Sequence, residues 1–313
     1  LRASLVYLVV SDCMLNEAKL TALSAEIGTL TTLSTLDLSN NMISKLGDNQ
    51  FGNCTNLESL NLNFNQLSML SKRTFINTKL LYDVKLSSNN FTRFDDVLEA
   101  LSPAKFALKS LEINKNPFVT YSIPLPPSEF IKLDSLYISD GGNIQSLSIS
   151  SFAGLYKLDE LYMSSQNISS IDSNAFNLMP NLRTLSLSGN RLSKVPNLRK
   201  LANLTSLVLS NQLDGALKRI DGFAFEIEET SGMLRVDLTK NGIESVDRHA
   251  FCTKFAKPLT RLDLDATSML AMSKCHLIQL ARADDNTTLD VIKNNEAAFS
   301  QVCNCDWVLY ASK

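Results

Sequence analysis

Four stretches of this chain lie over one another without a gap. Residues 33–43, 57–67, 81–91 and 182–192 all fit L-x-x-L-x-L-x-x-N-x-L, with phenylalanine at the last position of the third. Weaker copies begin at Leu5, Leu108, Leu133, Leu158, Leu204, Met233 and Leu259, so eleven copies follow one another at spacings of 22 to 29 residues. A unit this short cannot bury its apolar edge alone. Successive units must stack, and the core they share runs the length of a solenoid.

Each slot has a physical reason. Leu36 and Leu38 alternate with Asp37 as a strand alternates, two side chains to the interior and one to the other face. The asparagine slot (Asn41, Asn65, Asn89, Asn116, Asn190, Asn241) falls where the chain turns out of that strand. A buried amide there satisfies backbone groups of neighbouring turns, which an apolar side chain could not do. Cys13, Gly141, Gln166, Gln212 and Thr267 replace it in the other copies, and Gly141-Gly142 marks a local change of turn shape. A second apolar signal, Phe51, Phe75, Phe152, Phe176 and Phe251, follows about ten residues after the asparagine and predicts an aromatic spine beneath the convex side.

With these motifs the chain resembles the extracellular leucine-rich-repeat families, such as Toll and Slit receptors and neuronal adhesion proteins, over about residues 5–269. The glycine-isoleucine-proline signature of plant-type repeats is absent. The resemblance implies an α/β solenoid: a leucine-rich-repeat horseshoe with a parallel concave β-sheet, an irregular convex side and a C-terminal cysteine-bearing cap. The expected division is a repeat array over 1–284 and a cap over 285–313. The cap rests on Cys303-Asn-Cys305-Asp-Trp307-Val-Leu309, which is similar to the C-x-C…W-x-L opening of the family's C-terminal cap. That cap normally carries two more cysteines downstream, and this sequence ends at Lys313. Either the partners lie upstream at Cys252 and Cys275, or the natural protein continues. Four cysteines allow three pairings, of which only Cys303–Cys305 is excluded, by strain. The C-x-C spacing beside the lone tryptophan favours disulfides and an oxidising compartment over four free thiols. Cys13 and Cys54, in contrast, read as buried thiols filling the core. No family cysteine cap is found at the N-terminus, so upstream repeats or another polypeptide are expected to cover that edge.

N-x-S/T sequons occur at Asn53, Asn90, Asn167, Asn203 and Asn286, a number that chance also supplies in a chain so rich in Asn, Ser and Thr. Asn90 and Asn167 share one repeat position, just past the asparagine slot, and glycans there would bar partners from that flank.

Concave side chains are free of packing duties, so a partner surface is expected there. The central strand position reads Val9, Asp37, Asn61, Lys85, Glu112, Tyr137, Tyr162, Ser186, Val208, Asp237 and Asp263. Two tyrosines fall on consecutive repeats, with Tyr82 and Phe64 expected nearby. Asp134, Asp140, Asp159 and Glu160 surround the pair, and Lys85, Lys109 and Lys115 lie to its N-terminal side. Tyrosine offers large contact area at low entropic cost. The expected contact set is Phe64, Tyr82, Lys85, Glu112, Lys115, Tyr137, Asp140, Tyr162 and Arg183. The bland alternative is a solvated strand face whose tyrosines serve strand propensity. A second candidate is the irregular repeats, one with Pro117, Pro124, Pro126 and Pro127, the other running from Asp214 to Gly222.

Thirty Lys+Arg against 32 Asp+Glu give a formal charge of −2, without the basic excess that nucleic acid or an anionic membrane requires. The longest apolar run, residues 5–10, is far short of the roughly 20 residues of a membrane helix. Membrane insertion by this segment is not expected, and no signal peptide is recognised, so targeting segments are expected outside it. The two histidines, His249 and His276, sit near Cys252 and Cys275 without a paired zinc motif. No catalytic motif occurs, and neither metal nor cofactor is expected. The expected function is an extracellular protein-recognition module, the ectodomain of a cell-surface or secreted receptor in adhesion, guidance or immune sensing. Its partner is a protein ligand or co-receptor, with self-association through the N-terminal edge as a further option. A structural matrix organiser and a cytosolic scaffold are the alternatives.

Overall fold

A computed structural model describes residues 4–27, 30–119, 130–227, 234–247, 250 and 259–264. Strands occur at β1 (Tyr7–Val9), β2 (Thr35–Asp37), β3 (Ser59–Asn61), β4 (Asp83–Lys85), β5 (Ser110–Glu112), β6 (Ser135–Tyr137), β7 (Ser146–Leu147) and β8 (Glu160–Tyr162). They continue as β9 (Ser170–Ile171), β10 (Thr184–Ser186), β11 (Ser206–Val208), β12 (Arg219–Ile220), β13 (Leu234–Asp237), β14 (Ser245–Val246) and β15 (Leu259–Asp263). Eleven of them form one parallel sheet in the order β1-β2-β3-β4-β5-β6-β8-β10-β11-β13-β15, each strand beside the next repeat's. Short parallel ladders, β7–β9 and β12–β14, follow the strand turns of two pairs of repeats.

The register is the one the repeat dictates. Asp37 pairs with Asn61, Lys85 with Glu112, and Tyr137 with Tyr162. The leucines flanking those positions, such as Leu36, Leu60 and Leu161, are buried. Each contributes about 1.5–3 kcal/mol of burial, but only against the turns before and after it.

The buried asparagines are the fastening between turns. Asn65 donates through Nδ2 to the carbonyls of Leu38 (3.0 Å) and Leu62 (3.1 Å), and its Oδ1 accepts the Ile43 N–H at 3.1 Å. Asn41, Asn89, Asn116, Asn190 and Asn241 repeat this pattern. Gln212 also fits, donating to Leu187 O at 2.9 Å while Leu192 N–H donates to its Oε1 at 2.9 Å.

The ladder breaks between the fifth and seventh of these repeats. Gly141 has φ +89°, and a Cβ added to Gly142 would lie 1.8 Å from Oε1 of Gln166. Gln166 is fully buried, and neither its Oε1 nor its Nε2 finds a protein partner among the described residues. The longer side chain of one repeat thus occupies space that the preceding repeat leaves open by carrying glycine.

The aromatic spine exists in pieces. Phe51 stacks on Phe75 at 5.8 Å and Phe152 packs on Phe176 at 5.7 Å. Between them helix α2 (Phe94–Leu101) takes over the convex side, burying Phe94, Val97, Leu98 and Leu101 at helical spacing, with Phe94 edge-on to Phe118 at 6.2 Å. A first helix, α1 (Glu17–Ile27), starts where Asn16 Oδ1 accepts the Lys19 N–H at 3.1 Å, as an N-cap does.

Cys54 is buried as expected, which pushes its thiol pKa up. Cys13 is not. It is exposed, its Sγ contacting Ser11 O at 3.1 Å. The slot interior is closed by the preceding turn, and Cys13 sits in the first described turn, where only Asn41 of the following repeat reaches it. The cysteines Cys252, Cys275, Cys303 and Cys305, both histidines, Phe251, Asn286 and Pro124, Pro126 and Pro127 lie outside the described residues.

Candidate functional site: the concave face

The residue before each asparagine slot closes the strand turn with a left-handed backbone: Asp12, Asn40, Phe64, Ser88, Lys115, Asp140, Ser165, Gly189, Asn211 and Lys240 all have positive φ. Asn, Asp and Gly tolerate that conformation, whereas a bulky aromatic does not. Phe64 nevertheless adopts φ +56° and stands 54 % exposed.

Two residues before each asparagine slot lies a polar row. Asn63 Oδ1 accepts the Ser87 N–H at 2.6 Å, Ser87 Oγ the Asn114 N–H at 3.0 Å, Asn114 Oδ1 the Ser139 N–H at 2.7 Å, and Ser139 Oγ the Ser164 N–H at 3.1 Å. Side-chain oxygens thus continue the sheet past its last strand residue. The sequence signal is Ser or Asn two positions before the slot, recurring from repeat to repeat. Its chemical effect is that these acceptors are already bonded within the protein.

What remains open to a partner is aromatic and charged. Tyr137 and Tyr162 stack with ring centroids 4.9 Å apart and an interplanar angle of 10°, because parallel register places them side by side. The Tyr137 hydroxyl donates to Glu160 Oε2 at 2.9 Å. Burial and the Glu160 carboxylate push the Tyr137 pKa up to about 12, and burial, then Glu160, raises that of Tyr162. Both phenols therefore stay neutral well above physiological pH.

Six of the predicted contact residues, Phe64, Glu112, Lys115, Tyr137, Asp140 and Tyr162, line one depression of about 530 Å³ together with Asn63, Ser87, Ser88, Asn114 and Ser139. Arg183 lies instead in a separate, more polar depression of about 480 Å³ at the other end of the strands, with Asp134, Asp159, Glu160, Lys157, Asn181 and Asn203. There its Nε is 3.2 Å from Asp159 Oδ1. Tyr82, 44 % exposed, and Lys85 line neither depression. Of the two aromatics expected near the tyrosine pair, Phe64 lines its depression and Tyr82 does not. Phe64 follows β3 and Tyr82 precedes β4, so the two stand at opposite ends of paired strands, roughly 20 Å apart at 3.3 Å per residue.

Of the sequons, Asn53 and Asn90 are exposed. Asn167 donates through Nδ2 to Asn143 Oδ1 at 2.6 Å, and Asn203 to Pro180 O at 2.9 Å. A glycan is attached through that nitrogen in place of one of its two hydrogens, so at those two asparagines it must share the nitrogen with an existing bond. In the second irregular repeat Asp214 has φ 57° and pairs with Arg191. Among the described residues no cluster of metal-ligating side chains occurs, and no helix is long and apolar enough to cross a membrane.

The family profile described as "Leucine rich repeat" matches residues 31–91 and 131–192, and that described as "Leucine Rich repeats (2 copies)" matches 180–221. No curated protein matches the sequence. Among solved structures, a chain of the octameric complex of Latrophilin 3, Unc5D and the FLRT2 leucine-rich-repeat domain superposes with a TM-score of 0.66 at 19 % identity, covering 91 % of this chain and 83 % of its own. Internalin C2 from Listeria monocytogenes gives 0.51 at 24 % identity, covering 66 % and 80 %. At such identities the likeness speaks for the fold.

Proposed function

Because this chain belongs to the leucine-rich-repeat proteins, whose stacked turns are protein-interaction scaffolds, we propose that it is the extracellular recognition segment of a cell-surface or secreted receptor. Its protein ligand or co-receptor docks on the concave depression of Phe64, Tyr137 and Tyr162. The observation that carries this reading is the stacked tyrosine pair, placed on a face whose neighbouring hydroxyls and amides are bonded to one another. Large rigid aromatics beside satisfied polar groups are the composition of a binding hot spot. The exposed sequons at Asn53 and Asn90, and the likeness of Cys303-Asn-Cys305-Asp-Trp307-Val-Leu309 to an extracellular cap, support placement outside the cell. Adhesion, guidance and immune sensing are the roles such ectodomains fill. The FLRT2 domain, which occurs in a complex with Latrophilin 3 and Unc5D, illustrates a co-receptor arrangement of the proposed kind.

The test has two arms. The protein is secreted from a mammalian host, and its mass is measured with and without glycosidase and thiol alkylation; added glycan and protected cysteines are expected, whereas bare asparagines with six reactive thiols refute the extracellular reading. The same material is screened against secreted and cell-surface proteins. Tyr137→Ala/Tyr162→Ala, with unchanged melting, is expected to weaken the captured interaction at least about tenfold. Undiminished binding refutes the concave-face reading.

A further inference from the structure

Carboxylates gather on the strand segments of two consecutive repeats. The two repeats that carry the tyrosines place Asp134 and Asp140, then Asp159 and Glu160, between residues 133–140 and 158–165, with no lysine or arginine in either stretch. Lys85, Lys109 and Lys115 precede them, Lys132 and Lys157 stand immediately before the two stretches, and Arg183 follows; Lys115 lines the tyrosine depression and Lys157 the neighbouring one. One of the four carboxylates is neutralised, Asp159 by Arg183. Glu160 accepts the Tyr137 hydroxyl on one oxygen, and its other oxygen is without an ion pair among the described residues. In the central row the neighbour of Tyr137 on the side away from Tyr162 is Glu112, and the neighbour of Tyr162 on the far side is Ser186. Ser186 is small and bonded to Ser164 at 3.0 Å, so the row steps down beside the Tyr162 ring. A phenol ring with negative charge nearby attracts cations to its face, and a planar guanidinium both stacks on the ring and pairs with a carboxylate.

We infer that the Tyr137–Tyr162 stack, with the carboxylates of Glu112, Asp140 and Glu160 around it, receives an arginine side chain from an exposed basic loop of the partner protein. This rests on the concave-face reading and adds the chemistry of what enters. An ammonium lacks the planar fork and is held less well. An acidic segment is repelled by the carboxylates of the two tyrosine repeats.

The test uses short blocked peptides of equal length, bearing two arginines, two lysines, two citrullines or two glutamates spaced by glycine, titrated into the secreted protein and followed by NMR at the tyrosine rings. The arginine peptide is expected to bind most tightly and to weaken as salt rises. Citrulline, which keeps the shape without the charge, is expected to lose about tenfold in affinity. Glu160→Gln and Tyr162→Ala are each expected to weaken the arginine peptide about tenfold, and Asp221→Asn, an exposed carboxylate on another part of the solenoid, to leave it unchanged. Equal binding of arginine and citrulline peptides overturns the inference, as does indifference to Glu160→Gln and Tyr162→Ala. Failure here separates from failure of the concave-face reading: if a captured protein partner still depends on Tyr137 and Tyr162 while no basic peptide binds, only the arginine is refuted.

Discussion

The turns around Asn41, Asn65, Asn89 and Asn116 and the turn joining Gly142 to Gln166 solve the same problem in opposite ways. In the former every slot amide reaches back to the previous turn, and Asn89 alone binds Leu62 O (2.9 Å), Leu86 O (3.1 Å) and the Leu67 N–H (2.9 Å). In the latter a glycine withdraws and a glutamine extends, and its buried amide makes no protein hydrogen bond among the described residues. Hydrophobic packing is the same on both sides, for Leu111, Leu136 and Leu161 are all buried. The lesson is that packing makes the solenoid, whereas the polar rung sets how firmly one turn is tied to the next. The tyrosine stack lies across the β6–β8 pair, where the slot side chain of Gln166 makes no such tie among the described residues.

The largest expected effect contrasts the two rungs directly. Asn89→Ala strands several buried backbone groups at about 1–3 kcal/mol each, and should lower stability by roughly 3 kcal/mol or more in urea unfolding. Gln166→Ala removes an amide without protein partners and should change it by no more than about 1 kcal/mol. Equal losses would erase the distinction. Next in size, Gly142→Ala forces a methyl towards Gln166 Oε1 and to 3.3 Å from Phe118 O, an overpacking expected to cost about 1–3 kcal/mol. Combining it with Gln166→Ala should recover part of that loss, and strict additivity in the double-mutant cycle would show that the two residues do not share the space.

The smallest effect concerns acid. Burial tends to raise the pKa of Asp37, but hydrogen bonds from Ser39 and Asn61, with the charge of Lys85, outweigh it and hold the carboxylate below its usual 3.8. A depressed carboxylate contributes stability above the unfolded value, and loses it as pH falls through the folded one. Amide protection in β2 and β3, corrected for the intrinsic exchange rate, should therefore fall below about pH 3.8 more than protection in β10 and β11. Asp37→Asn should flatten that difference to within a few tenths of a kcal/mol.

The strand register and the asparagine rungs were legible because each repeat states them again: a period repeated eleven times fixes which residue faces which way. Helix α2 was not read, although Phe94, Val97, Leu98 and Leu101 have helical spacing, because one such group is short and, α1 apart, most described repeats fill that stretch with irregular chain. The Gly142–Gln166 substitution was visible only as two departures from the motif, and their relation needed the distance between consecutive turns. On the concave face the tyrosine pair followed from register. The separation of Phe64 from Tyr82 also followed from it, but only once each was assigned to an end of its strand instead of to a repeat.

The left-handed turn at Phe64 carries one more implication. Every other residue in that row could have been chosen for backbone comfort or for solubility, and in most repeats those two demands agree. At Phe64 they part company. Asparagine or glycine would sit more comfortably in that turn, and under the concave-face proposal the aromatic stands there for its contact with the partner. Sequence variation at this single residue, compared among descendants, would report whether the partner has been kept or lost.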